Sequence, residues 1–196
     1  MRTDYLSPEI YNQLYSIMTY ENVLALRVSL ETGLRIDDVL SLRVEQLQGR
    51  TLRGVAEKTD KPYRKVISRE LADRLRRLHD EGYFFPHRLR PKEEHRTRQA
   101  VWANMKKAAR ILNVQLNAAP HSARKTYAVD VLRDGGLEKV QRELQHDRIT
   151  TTMLYAFSNL LTAKTTENDN FQGVSIDIDA FADKIAEKVV ERLRKK

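Results

Sequence analysis

His121 and Arg124 stand three residues apart in Pro120-His121-Ser122-Ala123-Arg124, a stretch that opens a helix. Residues three apart share a helical face, and the free N–H groups of a helix start attract anions. The pair suits a phosphate, although the same spacing arises by chance at many solvated helix ends. Arg35 marks a second helix start, in Thr32-Gly33-Leu34-Arg35-Ile36-Asp37-Asp38, where a guanidinium can clamp a phosphate through two parallel hydrogen bonds. Farther on, His146 precedes Tyr155 by nine residues, with Thr150 a suitable N-cap for the helix bearing Tyr155. Read alone, Tyr155 is better taken as a buried core phenol.

Together these segments resemble the catalytic domain of the tyrosine recombinases, the phage integrase family. That family's first box, Thr-Gly-Leu-Arg followed three residues later by an acid, matches Thr32 to Arg35 with Asp38. Its second, His-x-x-Arg in a helix after Pro, matches His121 and Arg124. Its third, Leu-Gly-His with Tyr nine residues beyond, matches His146 and Tyr155, with Gln145 in place of Gly. The family's hairpin lysine matches Lys58 in Glu57-Lys58-Thr59-Asp60-Lys61. The resemblance covers roughly residues 7–158 in unbroken order. It implies site-specific strand exchange on double-stranded DNA through a 3′-phosphotyrosyl intermediate, with no nucleotide cofactor and a synaptic assembly of four protomers.

The chemistry asks for these residue types. A phosphodiester attacked by an oxygen spreads negative charge over its non-bridging oxygens, so catalysis is mostly positioning and charge stabilisation. Arg35 and Arg124 supply the charge, and their presence in place of a divalent ion leads us to expect no metal. The Tyr155 phenol is a weak nucleophile at neutral pH and needs a proton acceptor or a strongly positive site. His121 is the candidate helper. The departing 5′-oxygen must gain a proton, which Lys58 on a hairpin can deliver, with Lys61 in reserve. His146 would hydrogen-bond a non-bridging oxygen. Asp38 would orient His121 or Arg35, or simply stabilise a helix start as a first-turn acid.

The elements that must position these groups are legible in outline. Ser7-Pro8-Glu9 reads as a cap, a Pro at the first helical position and a first-turn acid, leading a helix whose Ile10, Leu14 and Ile17 share a face. A second helix over Glu21 to Glu31 stops at Thr32-Gly33, and a third covers Leu34 to Leu42. Thr51 to Lys58 and Lys61 to Ser68 flank Thr59-Asp60 as a hairpin with a two-residue tip. Helices are expected at about 69–80, 96–112, 121–133 and 137–145, the last two parted by Gly135-Gly136. Trp102 and Tyr83-Phe84-Phe85 read as core. His79, His87 and His95 read as surface or phosphate-contacting residues. The expected class is mainly α (α+β), a helical bundle with a small antiparallel sheet.

Beyond residue 158 the pattern changes. A polar stretch, Asn159 to Ser175, precedes Phe181, Ile185, Val189 and Leu193, which recur every four residues. The expected domains are therefore 1–158, the catalytic domain, and 159–196, a linker and amphipathic helix that docks on a neighbouring protomer or caps its own core. Members of the family usually carry an N-terminal core-binding domain. Here the first catalytic-domain helix begins by residue 8, so that domain is expected to be absent from this sequence.

Composition agrees. The 196 residues carry a formal charge of +8 and no cysteine, which removes disulfides and thiol chemistry and fits a reducing cytoplasm. No run approaches the roughly 18 apolar residues of a membrane span, so we expect a cytoplasmic, nucleoid-associated protein with no membrane partner. The charge is concentrated, since residues 61–115 hold 15 basic against 6 acidic side chains. Such a block is the footprint of a nucleic-acid binder. Lys61, Arg64, Arg69, Arg88, Arg96, Arg98 and Lys125 are the candidate DNA contacts. Two rival readings are a type IB topoisomerase, which shares the chemistry, and a non-catalytic DNA-binding protein on an integrase fold.

Overall fold

The structure is a computed structural model that describes residues 3–144. His146, Thr150, Tyr155 and the amphipathic tail lie outside the described residues. The chain opens with α1 (Pro8–Ile17) and α2 (Tyr20–Thr32), then α3 (Ile36–Leu40). Pro8 takes the first helical position of α1, where its missing N–H costs nothing. Its inward face is Tyr11, Leu14 and Met18, while Ile10 is half-buried and Ile17 is exposed. Leu14 is buried as expected, while Tyr11 and Met18 take the inward places expected for Ile10 and Ile17. Gly33 ends α2 with φ +70°, a left-handed conformation that glycine adopts without strain.

A three-stranded antiparallel sheet follows, β1 (Leu47–Gln48), β2 (Thr51–Ala56) and β3 (Lys61–Val66), in the order β1-β2-β3. The hairpin lies where the sequence places it, but the register differs. Ala56 pairs with Lys61, so the tip is four residues, Glu57 to Asp60, and not two. Asp60 adopts φ +50° and its N–H donates to the Ala56 carbonyl at 2.9 Å. An Asp tolerates this left-handed position better than most residues. Lys58 is consequently an exposed turn residue instead of a strand residue.

Two further helices, α4 (Arg69–Arg76) and α5 (Arg98–Ile111), lead to α6 (His121–Glu143). The Ser68 and Thr97 side chains cap α4 and α5, accepting from Leu71 N and Ala100 N at 3.2 Å each. Glu31 of α2 accepts from Ser68 N and Oγ at 2.7 and 3.0 Å, which pins α4 to α2. The core gathers Leu6, Leu14, Leu24, Leu26, Leu40, Leu42, Leu52, Leu71, Leu75, Phe84 and Phe85, each contributing about 1.5–3 kcal/mol by leaving water. Phe84 and Phe85 are buried as expected. Trp102 is not core: it is 40% exposed on α5, because Val101 and Met105 occupy that helix's inward face.

Helical hydrogen bonding runs through Gly135-Gly136, so one element stands where two were expected. It is not a straight rod. At about 1.5 Å per residue, sixteen residues of helix would separate Tyr127 from Glu143 by about 24 Å. Yet the Tyr127 hydroxyl lies 3.1 Å from Glu143 Oε2. The chain must double back between them, and a glycine pair is a common cause of such a bend. The glycine pair thus coincides with a bend where the sequence predicts a break between two helices. Ala128, Val131, Val140 and Leu144 form a small apolar cluster across the two arms.

Candidate active site

Arg35 is the N-cap of α3, extended at φ −65° and ψ 149°, and half-buried. The left-handed turn at Gly33 aims the chain into that cap. The Gly33 carbonyl accepts from Arg124 Nη1 at 2.5 Å, and the Leu144 carbonyl accepts from Arg124 Nη2 at 2.7 Å. One guanidinium thus ties the Arg35 turn to both arms of α6. Arg124 is 4% exposed, and burying a charge so deeply requires partners of this kind. Any side chain on Gly33 would collide with the Tyr127 ring, so Gly33 serves the close approach of α6 as well as the turn.

His121, at the first position of α6, belongs to the same cluster. Desolvation, then the charges of Arg124, Lys125, Arg35 and Arg98, lower its pKa to about 4. The residue is exposed at the surface, so solvent moderates the shift, but these four charges all act in one direction. The ring is neutral at pH 7 and able to accept a proton. Arg98, which begins α5, reaches Asp37 of α3 at 3.4 Å. Arg35, Arg98, His121 and Arg124 therefore share one strongly positive locality. Among the described residues no three His, Asp or Glu side chains gather as a metal site would need.

Asp38 is 4% exposed, and its Oδ1 accepts from the Glu57 backbone N–H at 2.9 Å. Its hydrogen bond goes neither to His121 nor to Arg35. This corrects the expected role: Asp38 anchors the hairpin turn one residue before Lys58. Its other oxygen is buried without a hydrogen-bond partner. The Tyr63 hydroxyl, pushed up to about 12 by burial and then by the charge of Asp38, stays protonated.

The candidate DNA contacts divide. Lys61, Arg64, Arg69, Arg88 and Arg98 are exposed. Arg96 is half-buried and donates to Asn22 Oδ1 at 2.8 Å, helping to hold α2 beside α5. Lys125 is a correction: it is 8% exposed and its ammonium donates to the Thr3 carbonyl. Position 125 follows Arg124 on a helix, which turns it inward beneath the N-terminal segment. His95 packs edge-on against Tyr83, centroids 5.6 Å apart, and the Arg43 guanidinium stands over the same Tyr83 ring, 4.4 Å from its centre.

Sequence reasoning missed one group beside the site. Lys65 of β3 donates to Glu143 Oε2 at 2.5 Å and to the Glu143 carbonyl at 2.9 Å, and Tyr127 donates to the same carboxylate. No periodicity or motif signals a pair 78 residues apart.

No helix among the described residues is long and apolar enough to cross a membrane. Residues 4–160 match the model of the phage integrase family. Over 141 residues the chain is 31% identical to tyrosine recombinase XerD of Lacticaseibacillus casei, an alignment covering 63% of this chain and 46% of that protein. The chain thus spans about half the length of that curated relative. Its fold resembles the XerA recombinase (TM-score 0.64, 21% identity, 87% of this chain and 67% of that one). It also resembles lambda integrase in a dimer bound to a COC′ core site (TM-score 0.69, 14% identity, 90% of this chain and 52% of that one). With four-fifths of its length matched in a single alignment, from Asp4 past the hairpin and both arginine boxes, the chain belongs to the phage integrase family.

Proposed function

We propose that this chain carries the catalytic centre of a site-specific DNA recombinase. The observation that carries the reading is the Arg124 guanidinium, which draws the Arg35 turn and the His121 helix start into one positive locality. In this reading Arg35 and Arg124 neutralise the non-bridging oxygens of a scissile phosphate. Neutral His121 assists removal of the phenolic proton of Tyr155, whose oxygen attacks phosphorus and displaces the 5′-oxygen. Lys58, exposed on the hairpin turn that Asp38 anchors, gives that oxygen its proton. His146 adds a hydrogen bond to the phosphate. The covalent 3′-phosphotyrosyl bond conserves the energy of the broken one, so rejoining needs no nucleotide.

Double-stranded DNA is the proposed partner, and the lambda integrase and XerH structures that the fold resembles are themselves bound to DNA sites. Residues 159–196 are proposed to act as a trans-docking tail within a tetrameric synapse. Proposed, too, is residence with the nucleoid. The test is a suicide substrate whose cleaved strand cannot religate. Wild-type protein should accumulate a covalent protein–DNA adduct, whereas Tyr155→Phe should bind the same DNA and give none. Wild-type adduct yield in Tyr155→Phe would overturn the assignment of the nucleophile. Tight binding with no adduct from the wild type would favour the non-catalytic reading.

A further inference from the structure

The Lys65–Glu143–Tyr127 cluster plays no part in the chemistry proposed above, yet it sits one residue from a group that does. Glu143 is the last residue of α6, and its neighbour Leu144 offers the carbonyl that accepts from Arg124 Nη2. The cluster closes the doubled-back α6 in three ways. Lys65 grips both the Glu143 carboxylate and its backbone carbonyl. Tyr127, from the first arm, donates to that carboxylate. The Lys65 ammonium also stands 5.6 Å from the Tyr127 ring centre, over its face, and that ring lies against Gly33.

Burial makes the cluster selective. The Lys65 side chain is 12% exposed and that of Glu143 34%, so the pair is partly shielded from solvent and from salt. Removing one partner leaves the other half-buried without its counter-charge, which costs more than the pair itself contributes. The bond to Lys65 holds the Glu143 carboxyl below the usual carboxylate range, while burial and then that carboxylate raise the Tyr127 phenol. Tyr127 is therefore a donor to a charged acceptor at neutral pH.

We infer that Lys65, Glu143 and Tyr127 form a latch that fixes the second arm of α6 and so, through the Leu144 carbonyl, sets the position of the Arg124 guanidinium. Lys65 and Glu143 are positioning residues for the arginine clamp. This inference rests on the proposed role of Arg124 as a phosphate ligand. The hairpin lysine is not the route: β3 is already registered against β2 along its whole length, and Asp38 anchors the turn independently.

The test uses the full chain with Glu143→Gln, Lys65→Met, the exchange Lys65→Glu with Glu143→Lys, and Arg124→Lys. Adduct formation is followed in a single turnover, on ordinary DNA and on DNA with sulfur in place of the 5′-bridging oxygen. Sulfur leaves without a proton and so bypasses Lys58. Glu143→Gln and Lys65→Met should each slow the reaction about tenfold on both substrates, the scale of one lost charge-assisted hydrogen bond. The charge exchange should recover at least part of the loss. In an Arg124→Lys background, Glu143→Gln should cost little more, since the two act on one group. Hydrogen exchange at residues 139–144 should quicken in Glu143→Gln while α2 and the sheet keep their protection.

Full rescue of Glu143→Gln by the sulfur substrate would place the effect at Lys58 and overturn the latch. Additive losses with Arg124→Lys would overturn it as well. Unchanged exchange at 139–144 would do so whether or not the protein cleaves DNA. Failure of the wild type to form adduct, with exchange quickened as expected, would refute the functional reading alone.

Discussion

Replacing Gly33 with alanine tests the junction on which the site depends. Two separable costs follow from the structure. Gly33 has φ +70°, and holding a residue with a Cβ there costs about 1–2 kcal/mol. The added Cβ would also run into the Tyr127 ring and stand 2.9 Å from Leu144 Cδ2, an overpacking of about 1–3 kcal/mol. Together these give about 2–5 kcal/mol. For a chain of this size each kcal/mol lowers Tm by about 2–4 °C, so a fall of roughly 6–12 °C corresponds to about 3 kcal/mol. Gly49 provides the control, because it too is left-handed at φ +59° but has nothing within 4 Å of an added Cβ. Gly49→Ala should cost the strain alone, about 1–2 kcal/mol. Thermal melts of the three proteins, with urea titrations to compare slopes, decide the matter. Equal losses in the two variants would show that the Gly33–Tyr127 approach carries no weight, and the argument for a close-packed junction would fall.

Three other outcomes are expected. Asp38→Ala removes the acceptor of the Glu57 N–H, so amide exchange at residues 57–60 should quicken and adduct formation should fall about tenfold, matching a hydrogen bond to a charged group; the 5′-sulfur substrate should restore most of the rate, and no restoration would mean that Asp38 acts elsewhere than through Lys58. The His121 ring should titrate well below an ordinary histidine, toward about 4. Between that value and about 6.5 the unfolded chain binds the extra proton, so stability rises with pH across this window; His121→Gln should flatten the rise, and a ring midpoint near 6.5 by NMR would refute the positive locality. DNA affinity should fall with salt at a log–log slope of about −0.9 per phosphate neutralised; replacing Arg64, Arg69 and Arg88 by Gln should make the slope shallower, whereas Lys125→Gln should leave it unchanged because that ammonium is buried on Thr3.

The order of boxes along the chain identified the family, and the proposed transesterification at phosphorus accounts for the residue types in those boxes, because such chemistry tolerates few substitutes for paired guanidinium groups, an imidazole and an attacking hydroxyl. Local rules placed the ends of most helices and the hairpin: Pro8 at a helix start and Gly33 at a helix end act through neighbours within four positions, as do Ser68 and Thr97, whose capping bonds the structure adds to that reading. What such rules leave open is where a polar group finds its partner across the fold. Asp38 reads equally well as a dipole-stabilising acid or as a partner of His121 or Arg35; the approach of the hairpin turn to α3 gives it the Glu57 N–H instead. Lys125 reads as a phosphate contact until the N-terminal segment covers it. The Lys65–Glu143 pair, 78 residues apart, exists only because α6 doubles back and brings its last residue to β3. Local geometry is set by interactions among near neighbours and is therefore written in short stretches of sequence, whereas the pairing of buried charges is decided by which distant segments the hydrophobic core brings together.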